Sequence, residues 1–455
     1  MNKQLKICPF RGIIYNQKKI GELAKVITPP YDVISPLDQK LYYTSHPYNI
    51  IRIILGKEYP EDDGKENKYI RARRFFREWL SRGILKKEKK KAIYVYEKEY
   101  HLEGKIEKRR GFLALMKLEE FGSGVILPHE ETFPKPGTDR FRLLKSCQAN
   151  FSPIFSLYLD PSHLVDQYLA IKEPISEVID TDGVKHMLGR IEDENTINEV
   201  CKAMENKKLF LADGHHRYLT ALRFRDEERK RFPRLKNGRD FVMMYFLNME
   251  TDAISILPVH RLIGGLEPGK VSKLKSRMED FFQIERLSLP SANSKIQGEC
   301  IVKELQKKEK SSIFGMYWGE NRYYLLSLKG EESSSSSLAH KRLKVLPNTE
   351  WEPSNEVNTV ILDEILKKIV VKDKLEKGKE IDFVKDETEA IDLIKKGKYQ
   401  LAFFLKALSL KQIKKVCLSG KKLPPKSTYF YPKPLSGLVM RDLDEEIYGK
   451  LLYIP

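Results

Sequence analysis

The spacing of apolar residues changes period repeatedly along this 455-residue chain, and each change marks an element. Ile50 to Leu55 is a short, continuous apolar run carrying Arg52, which predicts a strand. Between residues 65 and 82, Tyr69, Phe75, Phe76 and Trp79 recur at helical spacing, and Gly83 supplies the stop. Ala92–His101 and Ile106–Leu118 read as two strands around Glu103-Gly104-Lys105, a hairpin on which Tyr94, Tyr96 and Tyr100 alternate as packing residues. A basic helix with Arg140, Arg142 and Lys145 is expected beyond Gly137, then a strand at Pro153–Leu159. Further on the pattern predicts a helix over 217–232 and strands at Phe241–Leu247, Ser312–Trp318, Tyr323–Leu328, Ile381–Val384 and Tyr399–Leu405. Helices intervene between the later strands, so the chain is expected to be α/β. Three regions are suggested: an N-terminal α/β region with the hairpin (1–120), a core (121–265) and a C-terminal α/β region (266–455). The serine run Ser333–Ser337 reads as a flexible loop.

The most chemically loaded stretch is Leu-Phe-Leu-Ala-Asp-Gly-His-His-Arg-Tyr at 209–218. An apolar run ends in Asp213-Gly214, and an amphipathic helix begins at once. His215, His216 and Arg217 therefore fall at a strand-to-helix turn, where unpaired backbone N–H groups and the positive end of the helix dipole favour an anion. A helix cap needs one polar residue such as Asp213, and a tight turn needs Gly214. Two imidazoles and a guanidinium exceed both needs and supply donors for a phosphoryl group.

Composition narrows the field. The chain is 41% hydrophobic and 32% charged, ordinary values for a globular protein. It has no stretch of eighteen apolar residues and no apolar signal core behind its first lysines, so a cytoplasmic protein without a membrane span is expected. The net charge is +18, but acidic residues are spread among the basic ones and no aromatic-basic ladder is present. Nucleic acid is thus a less favoured partner than an anionic small molecule. Cys8, Cys147, Cys201, Cys300 and Cys417 lie far apart and are expected to be reduced, mostly buried thiols.

Other residues invite a weaker functional reading. Pro128-His129-Glu130-Glu131-Thr132-Phe133-Pro134 places two carboxylates between prolines, as a solvated loop or as a general base held in place. A metal site from His129, His215 and His216 is not favoured, because no His-Glu-x-x-His spacing occurs. Tyr31 and Asp32, stiffened by Pro29 and Pro30, and Arg52 read as loop anchors or as substrate contacts. Lys426, Ser427 and the lysine and hydroxyl run to Lys433 form either a cover over an anionic substrate or a packed strand. Neither a Walker loop nor a Rossmann glycine fingerprint is present.

An ordered set of motifs resembles the bacterial and archaeal family called domain of unknown function 1015 (DUF1015). The set comprises Pro9-Phe10-Arg11-Gly12, Pro29-Pro30-Tyr31-Asp32-Val33-Ile34-Ser35, Tyr48-Asn49-Ile50-Ile51-Arg52, His129-Glu130-x-Thr132, Ala149-Asn150-x-Ser152-Pro153-Ile154-Phe155, Ala212 to Tyr218, and Pro425 to Lys433. It spans nearly the whole chain. Two places depart from the pattern: Lys406-Ala407-Leu408 stands where Asn-Pro is expected, and the region around Ser333–Ser337 matches poorly.

That family is similar, distantly, to ParB/sulfiredoxin-like proteins, which bind phosphate at a Gly-x-x-Arg turn matched here by Gly214-His215-His216-Arg217. Free serine kinases of that superfamily carry an Asp-Gly-x-His-Arg signature, reproduced by Asp213, Gly214, His216 and Arg217. The resemblance implies a ParB/sulfiredoxin-like phosphate-binding core with flanking α/β regions, and phosphorylation of free L-serine from ATP, ADP or pyrophosphate. It implies a glutamate base, with Glu130 as candidate, Glu131 in reserve and His129 beside them. His215, His216 and Arg217 would hold the phosphoryl group, and Asp213 would hold Mg²⁺ or only cap the helix. Two alternatives use the same turn: a ParB-like nucleotide-binding regulator contacting DNA, and a phosphoester hydrolase.

Overall fold

A computed structural model describes residues 4–102, 104–132, 134–232, 238–251, 254–267, 274, 276–290, 293–308, 312–329, 357–370 and 380–445. The chain divides into two units: Met1–Pro128 with Thr132–Ser255 and Pro432–Pro455, and His129–Glu131 with Ile256–Tyr431. The serine run 333–337 lies outside the described residues. Among those residues, no helix is long and apolar enough to cross a membrane. All five cysteines are free thiols, with Cys147 and Cys417 buried and the others half-buried.

In the first unit, nine strands among the described residues form one mixed sheet. They are β1 (Ile7–Cys8), β2 (Ile93–Leu102), β3 (Lys105–Lys117), β4 (Ile126–Pro128), β5 (Ile154–Tyr158), β6 (Ser176–Ile179), β7 (Lys185–Ile191), β8 (Leu209–Asp213) and β9 (Phe241–Asn248). Their order is β4-β8-β5-β9-β3-β2-β7-β6, with β1 also on β3. β2 and β3 are the expected hairpin, with Tyr94 opposite Leu113 and Leu102 opposite Lys105. β9 is buried along its whole length, so its sequence runs apolar without alternation. β3 pairs with β9 and β2 with β7, across the boundary suggested near residue 120.

The helices of this unit are α1 (Pro36–Ser45), α2 (Ile51–Ile54), α3 (Lys68–Ser81), α4 (Pro134–Cys147), α5 (Glu194–Met204) and α6 (His215–Arg231). Ser35 and Asp38 start α1 with a capping box, and Asn67 caps α3 through the N–H groups of Tyr69 and Ile70. α5 and α6 bury Ile197, Val200, Met204, Tyr218, Ala221 and Leu222 in one core with Val95, Phe112, Leu211 and Met244.

Three local expectations change. Ile50–Leu55 is not a strand but contains the helical turn α2, whose Ile51 N–H is taken by the Asn49 side chain at 2.8 Å. Ile50, Ile51, Ile53 and Ile54 are all buried, and Arg52 is the run's single polar residue, too few to show a helical period. α4 begins at Pro134, ahead of Gly137, because a proline in the first turn sacrifices no helical hydrogen bond. α6 begins at His215, which draws both histidines into its first turn.

The second unit holds a six-stranded sheet: β10 (His260–Ile263), β11 (Phe282–Leu287), β12 (Ile313–Tyr317), β13 (Tyr323–Leu328), β14 (Ile381–Val384) and β15 (Leu401–Phe404), in the order β11-β13-β12-β15-β10-β14. Its helices are α7 (Ser294–Lys307), α8 (Asn358–Val370), α9 (Glu387–Lys395) and α10 (Leu410–Leu418). Alternate residues of β12 serve opposite faces. Phe314 and Met316 pack with Ile361 and Ile365 of α8, while Ile313 and Tyr317 pack with Ile301 of α7 and Ile391 of α9.

Candidate active site

β8 carries a bulge at Ala212 against β5: Leu211 pairs with Ser156 and Asp213, the last residue of the strand, with Phe155. Gly214 follows with φ +94° and ψ 28°, the left-handed backbone that lets the chain pass straight into α6. A Cβ on this glycine would stand 3.0–3.1 Å from the guanidinium atoms of Arg217. His215 is buried and His216 half-buried in the first turn of the helix.

Arg217 folds back over the turn. Its Nη2 donates to Asp213 Oδ2 at 2.6 Å and its Nη1 to the Pro153 carbonyl at 2.6 Å. The other Asp213 oxygen lies 2.6 Å from Lys433 Nζ, and the same ammonium reaches Asp32 Oδ2 at 2.9 Å. The network Asp32–Lys433–Asp213–Arg217 is thus built from three distant motifs. Asp32 comes from a 3₁₀ turn over Tyr31–Val33 behind Pro30. Its two positive and two negative groups balance.

Beside the network the Arg140 guanidinium covers the Tyr31 ring, 3.9 Å from its centroid. Burial pushes the Tyr31 phenol up to about 12, so it stays a neutral donor. Arg140 donates to the Ile54 carbonyl at 2.7 Å and pairs with Asp139. Burial opposes ionisation of Asp139, but Arg140 and Lys68 outweigh it and hold its carboxyl at about 2. Tyr31, Arg140, Ser152, Arg217 and Thr220 line a pocket of about 70 Å³ with Ile154 among its apolar walls. A water-sized group needs roughly 15 Å³ by this measure, so the pocket takes something the size of a phosphate.

The remaining candidates make other contacts. Arg52 donates to the Tyr43 carbonyl at 2.7 Å and stacks on that ring, which makes it a loop anchor. His129, Glu130 and Glu131 belong to the second unit, as do Lys426 and Ser427. There the Glu130 carboxylate gathers the N–H groups of Lys426 (3.2 Å), Ser427 (3.1 Å) and Thr428 (2.8 Å), and the Thr428 hydroxyl (2.8 Å). His129 Nε2 meets the same hydroxyl at 2.7 Å, and backbone bonds tie His129 and Glu131 to Leu423. Lys426 adopts φ +61°, and its carbonyl accepts from Arg261 at 2.9 Å. Ser427 is buried and bonds the Pro424 carbonyl, while Glu131 is exposed.

Each Asp213 oxygen is paired with a cation, Arg217 on one and Lys433 on the other. No group of three or more metal-ligating side chains assembles among the described residues. Sequence places Lys433 only at the end of a run that covers an anionic substrate or packs as a strand, without linking it to Asp213. Its signal was available: a lone lysine between Pro432 and Pro434 in an otherwise apolar segment.

Residues 7–349 match the family model described as Protein of unknown function (DUF1015). None of the curated proteins matches the chain. Among solved structures, the chain is similar to a free serine kinase in complex with AMP, with 14% identity, a TM-score of 0.34, and coverage of 71% of this chain and 90% of that one. A conserved hypothetical protein from Pyrococcus furiosus is similar at 13% identity and a TM-score of 0.33, covering 68% and 90%. SbnI from Staphylococcus aureus, with a C-terminal truncation, is similar at 12% identity and a TM-score of 0.32, covering 74% and 86%.

Proposed function

The chain belongs to the DUF1015 family of proteins of unknown function, and from that premise we propose that it is a cytoplasmic phosphotransferase acting on the hydroxyl of free L-serine, with ATP, ADP or pyrophosphate as donor. The observation that carries this reading is the convergence of Arg217 and Lys433 on one carboxylate at a strand-to-helix turn. α6 is a 17-residue helix, so the first-turn N–H groups and the positive end of its dipole face the same point. A phosphoryl group entering there takes over donors now given to Asp213. We assign strand, turn and helix 209–231 to a ParB/sulfiredoxin-like phosphate cradle on the sequence resemblance.

In the proposed reaction the serine hydroxyl gives its proton to a carboxylate, and its oxygen forms a bond to the terminal phosphorus of the donor. The bond from that phosphorus to the bridging oxygen breaks, and its electrons leave with the remaining nucleotide or phosphate. Phosphoryl transfer is mostly positioning and charge stabilisation, so Arg217, His215, His216 and the turn's N–H groups do most of the work. Glu130 is the proposed base, with Glu131 in reserve.

Phosphorus NMR of the purified protein with L-serine and, separately, each of the three donors tests this reading. A new O-phosphoserine resonance establishes the activity and identifies the donor, and Arg217→Ala abolishes it. Donor binding without transfer overturns the proposal in favour of a regulator. Release of inorganic phosphate from added O-phosphoserine, with no forward transfer, favours a hydrolase.

A further inference from the structure

Lys433 sits at the end of an unusually constructed strap. On β2, Lys98 is fully buried and donates to the carbonyl of Pro432 at 2.8 Å, the residue directly before Lys433. The rings of Tyr96, Phe155 and Tyr245 surround its Nζ at 5.3, 5.4 and 4.8 Å. Burial pushes the amine well below the ordinary lysine range. Two residues further along, the Leu435 N–H points to the Tyr96 hydroxyl at 3.4 Å. That hydroxyl meets His186 Nδ1 at 2.7 Å, and His186 Nε2 meets Asp180 at 2.9 Å.

Stability alone does not call for a lysine in this place. Burying an amine is costly, and an apolar side chain of similar volume would fill the aromatic box at least as well. What the buried amine provides is a fixed Pro432 carbonyl, and therefore a fixed origin for the Lys433 side chain. That side chain is itself only 6% exposed, and its ammonium bridges Asp32 and Asp213. Arg217 bonds the opposite oxygen of Asp213, so the two cations flank the carboxylate at the helix start.

We propose that Lys433 is a catalytic residue of this site. Its ammonium passes from the Asp32–Asp213 bridge to the phosphoryl oxygens of a phosphoanhydride donor, alongside Arg217, and Lys98 is the positioning residue that sets its reach. The proposal rests on the phosphotransferase reading. The ammonium exchanges carboxylate oxygens for phosphoryl oxygens without losing its charge. The two aspartates, held near the incoming dianion, keep the free site neutral and favour release of the product phosphate. Neither lysine forms a covalent bond.

Calorimetric titration of inorganic pyrophosphate at several salt concentrations tests it on the full chain. Lys433→Met is expected to weaken binding about tenfold or more and to flatten the salt dependence, since one charge-assisted contact is lost. Lys433→Arg keeps the charge and the carboxylate bridge, and stays within about threefold of the parent. Lys98→Met weakens binding severalfold while preserving the parent salt dependence, because Lys433 keeps its charge but loses its anchor. Parent-like binding by Lys433→Met, with Lys433→Arg as the folded control, overturns the role of Lys433. Parent-like binding by Lys98→Met overturns the positioning role. If the parent binds neither pyrophosphate nor, in the same titration, ATP or ADP, the phosphotransferase reading fails and this proposal falls with it, an outcome distinct from the other two.

Discussion

Arg217 bonds the Asp213 carboxylate at 2.6 Å across the start of a helix, and the two side chains are 13% and 14% exposed. The pair closes a loop of only four residues around a left-handed glycine. It also means that an internal anion already occupies the donors a phosphate would use. Affinity for phosphate at this turn is therefore a difference between two anions, and the aspartate sets its level.

Replacing Asp213 by Asn removes that internal anion and leaves Arg217 and Lys433 largely buried without their shared partner. Stripping one member from such a network costs on the order of 3 kcal/mol. Asp213→Asn is expected to melt well below the parent in a buffer free of phosphate. Added pyrophosphate should then raise its melting temperature more than the parent's, because the ligand restores the missing charge as well as binding. Equal shifts for the two proteins in a thermal melt with and without pyrophosphate contradict this account.

Gly214 is the point at which the turn tolerates no side chain. Its φ of +94° is a backbone setting that costs an L-residue about 1–2 kcal/mol. An added Cβ also meets the Arg217 guanidinium at 3.0 Å, so relief requires Arg217 to leave Asp213. Gly214→Ala should lower the urea midpoint modestly and weaken pyrophosphate binding far more than that loss of stability accounts for. A variant with the stability loss alone shows that the arginine's position is immaterial to binding.

The turn was legible in sequence because its chemistry is local: strand, aspartate, glycine, two histidines, arginine and helix follow one another without a gap. The Ala92–Leu118 hairpin was legible for the same reason, since its period and its turn residues agree. What sequence hid is what the fold brings together over long separations. Lys433 and Asp213 lie far apart in the chain, and nothing in either neighbourhood names the other. Sequence offers Glu130 as a solvated loop residue or a general base, and neither reading names the three successive backbone N–H groups of the 426–428 turn that it gathers. The α2 residues that suggest a strand are buried except Arg52, and a single polar residue carries no period.

Acid should loosen the pocket through Asp139. Its carboxyl is held at about 2 against 3.8 in the unfolded chain, because Arg140 and Lys68 outweigh the burial that opposes ionisation. The unfolded state therefore takes up the proton first as pH falls. The stabilisation, roughly 2 kcal/mol, is complete above about pH 4 and disappears between there and about pH 2. Asp139→Asn should be less stable than the parent at neutral pH and lose less on acidification through that window. Parallel stability curves for the two proteins between pH 5 and pH 2, measured by denaturant titration, would count against the coupling.

Glu130 presents two roles that one substitution cannot separate, since Glu130→Gln removes a candidate base and also weakens a structural anchor. Gln keeps an acceptor oxygen for the Thr428 N–H and hydroxyl but turns an NH₂ toward the Lys426 N–H, now 3.2 Å from Oε2. Thr428→Ala supplies the missing control. It deletes the hydroxyl that joins Glu130 to His129 and leaves the carboxylate in place. Both variants should lose about 1–3 kcal/mol as bonds to the turn are removed. For a general base the kinetics diverge: Glu130→Gln loses about a hundredfold or more in turnover, while Thr428→Ala keeps most of it. Serine phosphorylation rates, measured beside melting temperatures for both variants, separate the two cases. If activity falls in step with stability in both, Glu130 is an anchor of the 426–428 turn and the base lies elsewhere.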